Sequence, residues 1–315
     1  MSLQESIVYA SGSFKKYDEA KVGLLTHGLN YGTGCFEGIR GYWNADEREL
    51  YLLQLREHYT RLHDSARTLL MTLPHTVDEL MEITVELCAR NRFEENIYIR
   101  PLLFKCAEDV GVRLAGVPDA FAIVALPFSK YVDAEAGLRT CVSSWRRVDD
   151  TMAPARAKIT GIYINSALAK SEATLNGFDE AIMLSHDGHI AEGSASNLFM
   201  VRDGVVYTPD QAQNVLEGIT RRTVCTLVND LFGKTVVQRA IDRSELYAAD
   251  EVFLTGSAVG VAFVKSVDHR TIGTGAMGPT VRALMQAYAR FTLGLEPKYR
   301  AWLTPTYAGR RVGAA

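Results

Sequence analysis

Apolar positions along the chain recur with helical spacing in two early stretches and with strand spacing in the stretches that follow them. Leu55, Tyr59, Leu62, Ala66 and Leu69 fall at steps of four and three, which predicts a helix over residues 53–70 with one buried face. A second helix is expected from Thr76. Thr76 and Glu79 have the capping-box spacing, and Leu80, Ile83, Thr84 and Leu87 form its buried stripe. Residues 97–104 (IYIRPLLF) and 120–126 (AFAIVAL) are short runs rich in strand formers. The first part of the chain therefore reads as α+β. Residues 127–137 break the pattern with charge and glycine and are expected to link two domains.

Beyond the break, a strand is expected over 139–145 and a helix over 162–175. Asp187-Gly188 lies between AIMLS and HIAEG, and Asp203-Gly204 between NLFMV and VVYTP. Asp-Gly between apolar runs predicts two hairpins. Gly218 opens a helix with the stripe Val224, Leu227, Val228 and Leu231, closed by Gly233. A strand over 251–254 runs into the small-residue turn Thr255-Gly256-Ser257-Ala258. Pro279 starts a last helix that buries Val281, Leu284, Met285 and Tyr288.

The 315 residues suit two domains, and 47% apolar with 23% charged residues is ordinary globular composition. A formal net charge of -3 gives no overall positive field for nucleic acid or a membrane, so an acidic substrate needs local arginines. Five cysteines, widely spaced and without CxxC, argue against a disulfide framework or a zinc ribbon. The seven histidines show no ligand spacing such as HExxH, so no metal is expected. The N-terminus lacks the basic and apolar regions of a signal peptide, and no run reaches the ~20 apolar residues of a membrane span. A cytoplasmic location is expected.

Two places resemble anion sites: Gly218-Ile219-Thr220 at a helix start, and the turn Thr255–Ala258 after a strand. Neither is a P-loop or a dinucleotide fingerprint, and a helix start is often simply capped. Arg61 lies in the amphipathic helix, where an arginine snorkels, pairs with an acid or binds a ligand. Arg100 interrupts an apolar strand and must face water, a partner or a ligand. Arg40 ends the Gly-flanked CFEGIR and is ambiguous. Lys158 stands in MAPARAKITGIY, whose only other charge is Arg156. Apolar surroundings make a lysine amine nucleophilic, but nine other lysines compete for that role. Glu192 follows a hairpin turn and reads equally as a loop acid.

Taken in order, several stretches resemble the branched-chain amino-acid aminotransferases, which are fold-type IV (class IV) enzymes dependent on pyridoxal phosphate (PLP). They are NYGTGCFEGIRGY, REHYTRLHDSA, YIRPLLF, VSSWRR, the surroundings of Lys158, AEGSASNLF, LEGITRR and LYAADEVFLTGSA. The resemblance runs from about Gly12 to about Trp302. It implies an α/β (α+β) fold. A small N-terminal α+β domain would span 1–127, a linker 128–137, and a larger PLP-binding domain of β-sheets flanked by helices 138–315. It also implies that Lys158 is the Schiff-base lysine and proton carrier, that Glu192 pairs with the pyridine nitrogen, and that Tyr163 bonds the cofactor's phenolate oxygen. Arg61, Gly218, Ile219, Thr220 and Ser257 would hold the phosphate. Tyr98, with the N–H groups of Ser257 and Ala258, would hold the substrate carboxylate. Tyr31, Phe36, Phe128, Tyr131 and Tyr163 would wall the side-chain pocket. Arg100, with Tyr31 and Tyr131, would receive a second carboxylate, and Arg40 would stand near the entrance. The implied reaction is ping-pong transamination between leucine, isoleucine or valine and 2-oxoglutarate, in a homodimer or higher homo-oligomer.

Some positions depart from the family pattern. Ser257 stands where threonine is common, Glu217 replaces a proline, Ala195-Ser196 replaces Gly-Glu, and Phe128 replaces a tryptophan. The loop 109–118 (DVGVRLAGVP), which in the family faces the partner's pocket, is also unusual. These departures leave room for a D-amino-acid or (R)-selective amine transaminase of the same fold. An aminodeoxychorismate lyase of the same fold fits the implied aliphatic-type pocket less well, and a non-catalytic scaffold would not need the retained Lys158, Glu192 and Arg61.

Overall fold

The computed structural model describes residues 3–129 and 136–308, so Tyr131 lies outside the described residues. The chain forms two compact units. The described residues of the first are 3–129, 157–161 and 290–308, and those of the second are 136–156 and 162–289. The sequence pattern changes once, near 127–137, and so assigns 138–315 to one domain. Two stretches of that range pack with the first unit instead: 157–161, which carries Lys158, and the end of the last helix with the chain that follows it. Both are held by long-range backbone pairing, which leaves no mark on local periodicity.

The first unit is built on an eight-stranded antiparallel sheet. Its order is Leu303–Pro305, Glu49–Leu53, Ile39–Asn44, Ile97–Lys105, Asp119–Pro127, Ile7–Ala10 and Ser13–Lys16, with Gly34–Phe36 also paired to Ile97–Lys105. The helices Leu55–Thr68 and Val77–Asn91 match the two expected ones. Thr76 and Glu79 form the full capping box. Leu55, Tyr59, Leu62, Ala66, Leu80 and Leu87 are buried, as the period of 3.6 requires. In Ile97–Lys105 the odd positions are buried and the even ones are not, so Tyr98 and Arg100 share one face. That alternation explains how a strand accommodates Arg100.

The second unit holds a nine-stranded sheet. Its main path runs Ile190–Gly193, Glu180–Leu184, Leu138–Val142, Gly260–Val267, Glu251–Gly256, Asn197–Arg202, Val205–Thr208 and Val237–Gln238. Ile190–Gly193 pairs with Asn197–Arg202 as well, so six strands close into a ring, and the closing contact is the pair Glu192–Asn197. Both Asp-Gly turns join antiparallel strands as expected. The helix Tyr163–Leu175 connects two parallel strands, Leu138–Val142 and Glu180–Leu184. Gly218 and Gly233 flank the helix Ile219–Phe232, but Leu231 of its expected stripe is 45% exposed. Leu231 is next to last in the helix, where an apolar face has fewer neighbours to cover it. Pro279 begins the helix Pro279–Thr292, with Val281, Leu284 and Tyr288 buried.

Candidate active site

The backbone around Lys158 is tied into the first unit. Ile159 bridges Cys35, the Phe36 N–H donates to the Lys158 carbonyl (3.0 Å), and the Lys158 N–H donates to Ser65 Oγ on the helix Leu55–Thr68 (3.1 Å). The Thr160 hydroxyl donates to the Gly32 carbonyl at 2.7 Å. Gly32 has a left-handed backbone (φ 65°), and a Cβ there would lie 2.6 Å from the Gly161 Cα, so the close approach requires glycine. The Lys158 Nζ lies 5.0 Å from the Phe36 ring centroid.

Several of the expected substrate residues cluster in the same unit. The Arg100 guanidinium lies 4.4 Å from the Phe36 ring and donates to the Tyr98 hydroxyl (3.1 Å). The Tyr98 and Phe128 rings are 5.3 Å apart. Arg40 is buried, stacks 4.7 Å from Phe128 and donates to the Phe128 and Ser129 carbonyls. It thus ties down the end of the strand Asp119–Pro127. The Tyr31 hydroxyl accepts the Gly111 N–H (3.2 Å), which joins Tyr31 to the atypical loop 109–118. The base of that loop is fixed by Lys105, 1% exposed, which pairs with Asp119 at 2.9 Å and donates to the Leu70 and Val117 carbonyls.

Arg61 meets an acid in this unit. Its Nε and Nη2 donate to Glu37 Oε1 and Oε2, both at 2.7 Å, in a bidentate fork. His58, one helical turn earlier, adds its Nδ1 to Oε2 at 2.7 Å. Glu37 and His58 are essentially without solvent exposure, and the Arg61 side chain is 14% exposed. Burial pushes the Glu37 carboxyl upward, but the Arg61 charge, His58 and their hydrogen bonds outweigh it and hold the group well below the usual carboxylate range. Burial lowers His58 from its ordinary value despite the attraction of Glu37.

In the second unit Glu192 sits at the closing pair of the strand ring. Its Oε1 is 2.7 Å from Arg147 Nε, an ion pair set off the N–H direction. Its Oε2 accepts from Asn197 Nδ2 and from the Leu216 N–H, each at 3.1 Å. Both oxygens of this buried carboxylate are thereby engaged and held in place. Arg147 also donates to the Ala155 carbonyl (3.2 Å). Near these groups is the start of the helix Ile219–Phe232. The Arg222 N–H makes its first bond to the Gly218 carbonyl, so the N–H groups of Ile219 and Thr220 precede the ladder. A Cβ on Gly218 would lie 2.0 Å from Asn197 Oδ1, which places this helix start directly against Asn197. Asn197 pairs across the sheet with Thr255, whose Oγ1 is buried and has no hydrogen-bond partner. Ser257 and Ala258 follow in the turn, both partly exposed, and Tyr163 opens its helix half-buried. A fixed anion for a ring N–H, with helix N–H groups and an orphaned hydroxyl for a phosphate, fits the cofactor that the resemblance implies. Among the described residues no group of three His, Cys, Asp or Glu side chains is arranged to hold a metal ion.

Residues 34–267 match the family Amino-transferase class IV. The chain belongs to the class IV aminotransferases. A probable branched-chain-amino-acid aminotransferase of Aquifex aeolicus is 43% identical over 97% of this chain and 98% of its own. The branched-chain aminotransferase of Thermoproteus uzoniensis, solved with norvaline, superposes with a TM-score of 0.92 at 43% identity, covering 96% of this chain and 99% of the other. The enzyme of Thermobaculum terrenum in its PLP form gives 0.92 at 35% identity, covering 97% and 99%. The α+β fold of this aminotransferase is that of the fold-type IV enzymes.

Sequence reading overlooked several residues of this class IV aminotransferase. Glu37 and His58 surround Arg61, Arg147 and Asn197 surround Glu192, and Ser65 supports Lys158. A signal existed for two of them: His58 and Arg61 lie three residues apart on one helical face, and Glu37 is the one acid in an otherwise apolar, Gly-flanked run. Of the departures, Glu217 pairs with Arg156 at 3.4 Å, both half exposed, which gives the side chain a structural place at the helix start.

Proposed function

We propose that this chain is a branched-chain-amino-acid aminotransferase that uses pyridoxal phosphate and returns its amino group to 2-oxoglutarate. The observation that carries this reading is the near end-to-end match to enzymes of that name, at 43% identity. The solved structure of a relative 39% identical holds N-(5'-phosphopyridoxyl)-L-glutamate, which supports glutamate as one amino partner.

Bound pyridoxal phosphate supplies the electron sink for negative charge developing at the substrate α-carbon. The Lys158 amine would hold the cofactor and would carry the α-proton. Its docked backbone, pinned to Ser65 and Phe36, fixes the base of that side chain. Glu192, held by Arg147, Asn197 and the Leu216 N–H, would accept the ring N–H and so favour the protonated ring. Tyr163 would donate to its phenolate oxygen. Arg61, the N–H groups of Ile219 and Thr220, and Ser257 hold the phosphate. Tyr98, with the Ser257 and Ala258 N–H groups, orients the substrate carboxylate. Phe36, Tyr31 and Phe128 provide apolar wall, to which Tyr131 would add. Arg100, stacked on Phe36 and bonded to Tyr98, provides the positive charge for the second carboxylate of glutamate. One pocket can then accept both an aliphatic chain and a carboxylate, which alternate half-reactions demand.

Initial rates measured with L-leucine against several fixed 2-oxoglutarate concentrations test this. Parallel double-reciprocal lines and glutamate formed in step with the 2-oxo acid are expected. Intersecting lines, or no glutamate, would sink the proposal.

The reading includes a homodimer. Leu24, Val110 and Val112 of the first unit are 86%, 77% and 78% exposed, and in the second unit Met152 and Ile164 are also largely exposed. Apolar side chains left open in such number support burial against a second copy.

A further inference from the structure

Glu37 is a residue to which the aminotransferase reading gives no role, yet it is among the most completely enclosed charged groups in the chain. It lies between Phe36 and Gly38, and its N–H donates to the Pro101 carbonyl (3.0 Å), which anchors it to the strand Ile97–Lys105. Its carboxylate reaches the helix Leu55–Thr68, where His58 and Arg61 stand one turn apart. Burying a carboxylate is costly unless its oxygens are fully paired. Here the pairing has a specific geometry. Arg61 presents the Nε edge of its guanidinium to both oxygens, which fixes the plane and the direction of the rest of the fork. His58 holds Oε2 from the side, so the carboxylate is itself held from two directions.

We propose that Glu37 is a positioning residue for the cofactor phosphate. It acts through Arg61, with His58 as its brace. The inference rests on the reading of Arg61 as a phosphate ligand. A long arginine on a surface helix samples many rotamers, and immobilising it in advance removes that entropy loss from the binding step. The sign of the effect separates positioning from simple charge. Glu37 offsets the charge of Arg61, so on charge alone its neutralisation would strengthen phosphate binding. Through positioning, its neutralisation weakens that binding.

The experiment compares dissociation constants of PLP and of pyridoxal, which lacks the phosphate, by absorbance and fluorescence titration of the cofactor-stripped protein. Wild type, Glu37→Gln, Glu37→Asp, Arg61→Gln and the double variant Glu37→Gln/Arg61→Gln are measured. Wild type should prefer PLP, and Arg61→Gln should lose much of that preference. Glu37→Gln should lose about 10-fold of it, the scale on which outer partners of a ligand group act, with pyridoxal binding unchanged. In the double variant the Glu37 change should add nothing further. Glu37→Asp keeps the charge pair but withdraws the carboxylate by one methylene, so it tests the geometry even where Glu37→Gln does not fold. A PLP preference that is unchanged or raised in Glu37→Gln, or kept in full by Glu37→Asp, overturns the inference while leaving Arg61 in place. If Arg61→Gln itself keeps the full preference, the phosphate role of Arg61 fails, and the inference fails with it.

Discussion

At the scale of single residues, the buried carboxylates Glu37 and Glu192 are both surrounded by fixed partners. Glu192 meets an arginine, an asparagine and a backbone N–H, and each of its oxygens is engaged. The carboxylate is therefore ready for a ring N–H without rearrangement. Glu192→Gln keeps the shape and removes the charge. A kcat lower by roughly 100-fold, with KM for leucine little altered, is expected from losing a fixed charge aimed at the reacting system. Steady-state rates on cofactor-saturated enzyme check it, and an unchanged kcat would contradict the role given to Glu192. Lys158, Glu192 and Arg61 could be nominated from the sequence because each stands in a stretch that resembles the family. Glu37, His58, Arg147 and Asn197 were not read, because each acquires its meaning from a side chain far away in the sequence. Glu37 is 24 residues from Arg61, and Arg147 is 45 from Glu192.

At the scale of elements, local periodicity was a good guide to helices and hairpins, since the same alternation that marks them also buries them. Both early helices, both Asp-Gly hairpins and the Gly218 and Pro279 helix starts lie where the pattern puts them. Leu231 shows the limit, because an apolar residue near a helix end can outrun the surface it would cover. The helix Leu55–Thr68 also carries a pH dependence. His58 has a folded-state pKa below its unfolded value, so below about pH 6.5 the unfolded chain binds a proton that the folded chain does not. Stability must then rise with pH through that region and fall as the pH is lowered. Glu37 acts in the same direction at lower pH: its folded pKa is depressed, so its contribution is present above the ordinary carboxylate range and is lost on acidification. Replacing His58 by Gln should flatten the slope of unfolding free energy between about pH 6.5 and 5 by up to about 1.4 kcal/mol per pH unit. Urea denaturation of both proteins across that range measures it. An identical slope would mean that His58 is charged in the folded state.

At the scale of the whole molecule, the sequence pattern marks one break, at 127–137, and gives no sign of the later return of the chain to the first unit. The Lys158 segment is five residues long and is held by a bridge to Cys35 and by contacts to Gly32 and Ser65. Its place depends on a register set more than a hundred residues earlier, which no window of local pattern contains. Association belongs to this scale too. Sedimentation equilibrium should give at least twice the 34.8 kDa chain mass, and Val110→Asp with Val112→Asp should shift the equilibrium toward the single chain. A wild-type protein that stays at the chain mass at high concentration would contradict the homodimer. The identity of the natural amine is the central claim, and one half-reaction tests it most directly. Purified protein loaded with PLP is mixed with L-leucine, D-alanine or (R)-1-phenylethylamine, and conversion of the lysine-bound cofactor's visible absorbance to that of pyridoxamine phosphate is followed. Rapid conversion with L-leucine and slow conversion with the other two is the predicted result. Faster conversion with D-alanine or the (R)-amine would contradict it, and would assign the atypical loop and its bond to Tyr31 to a different substrate.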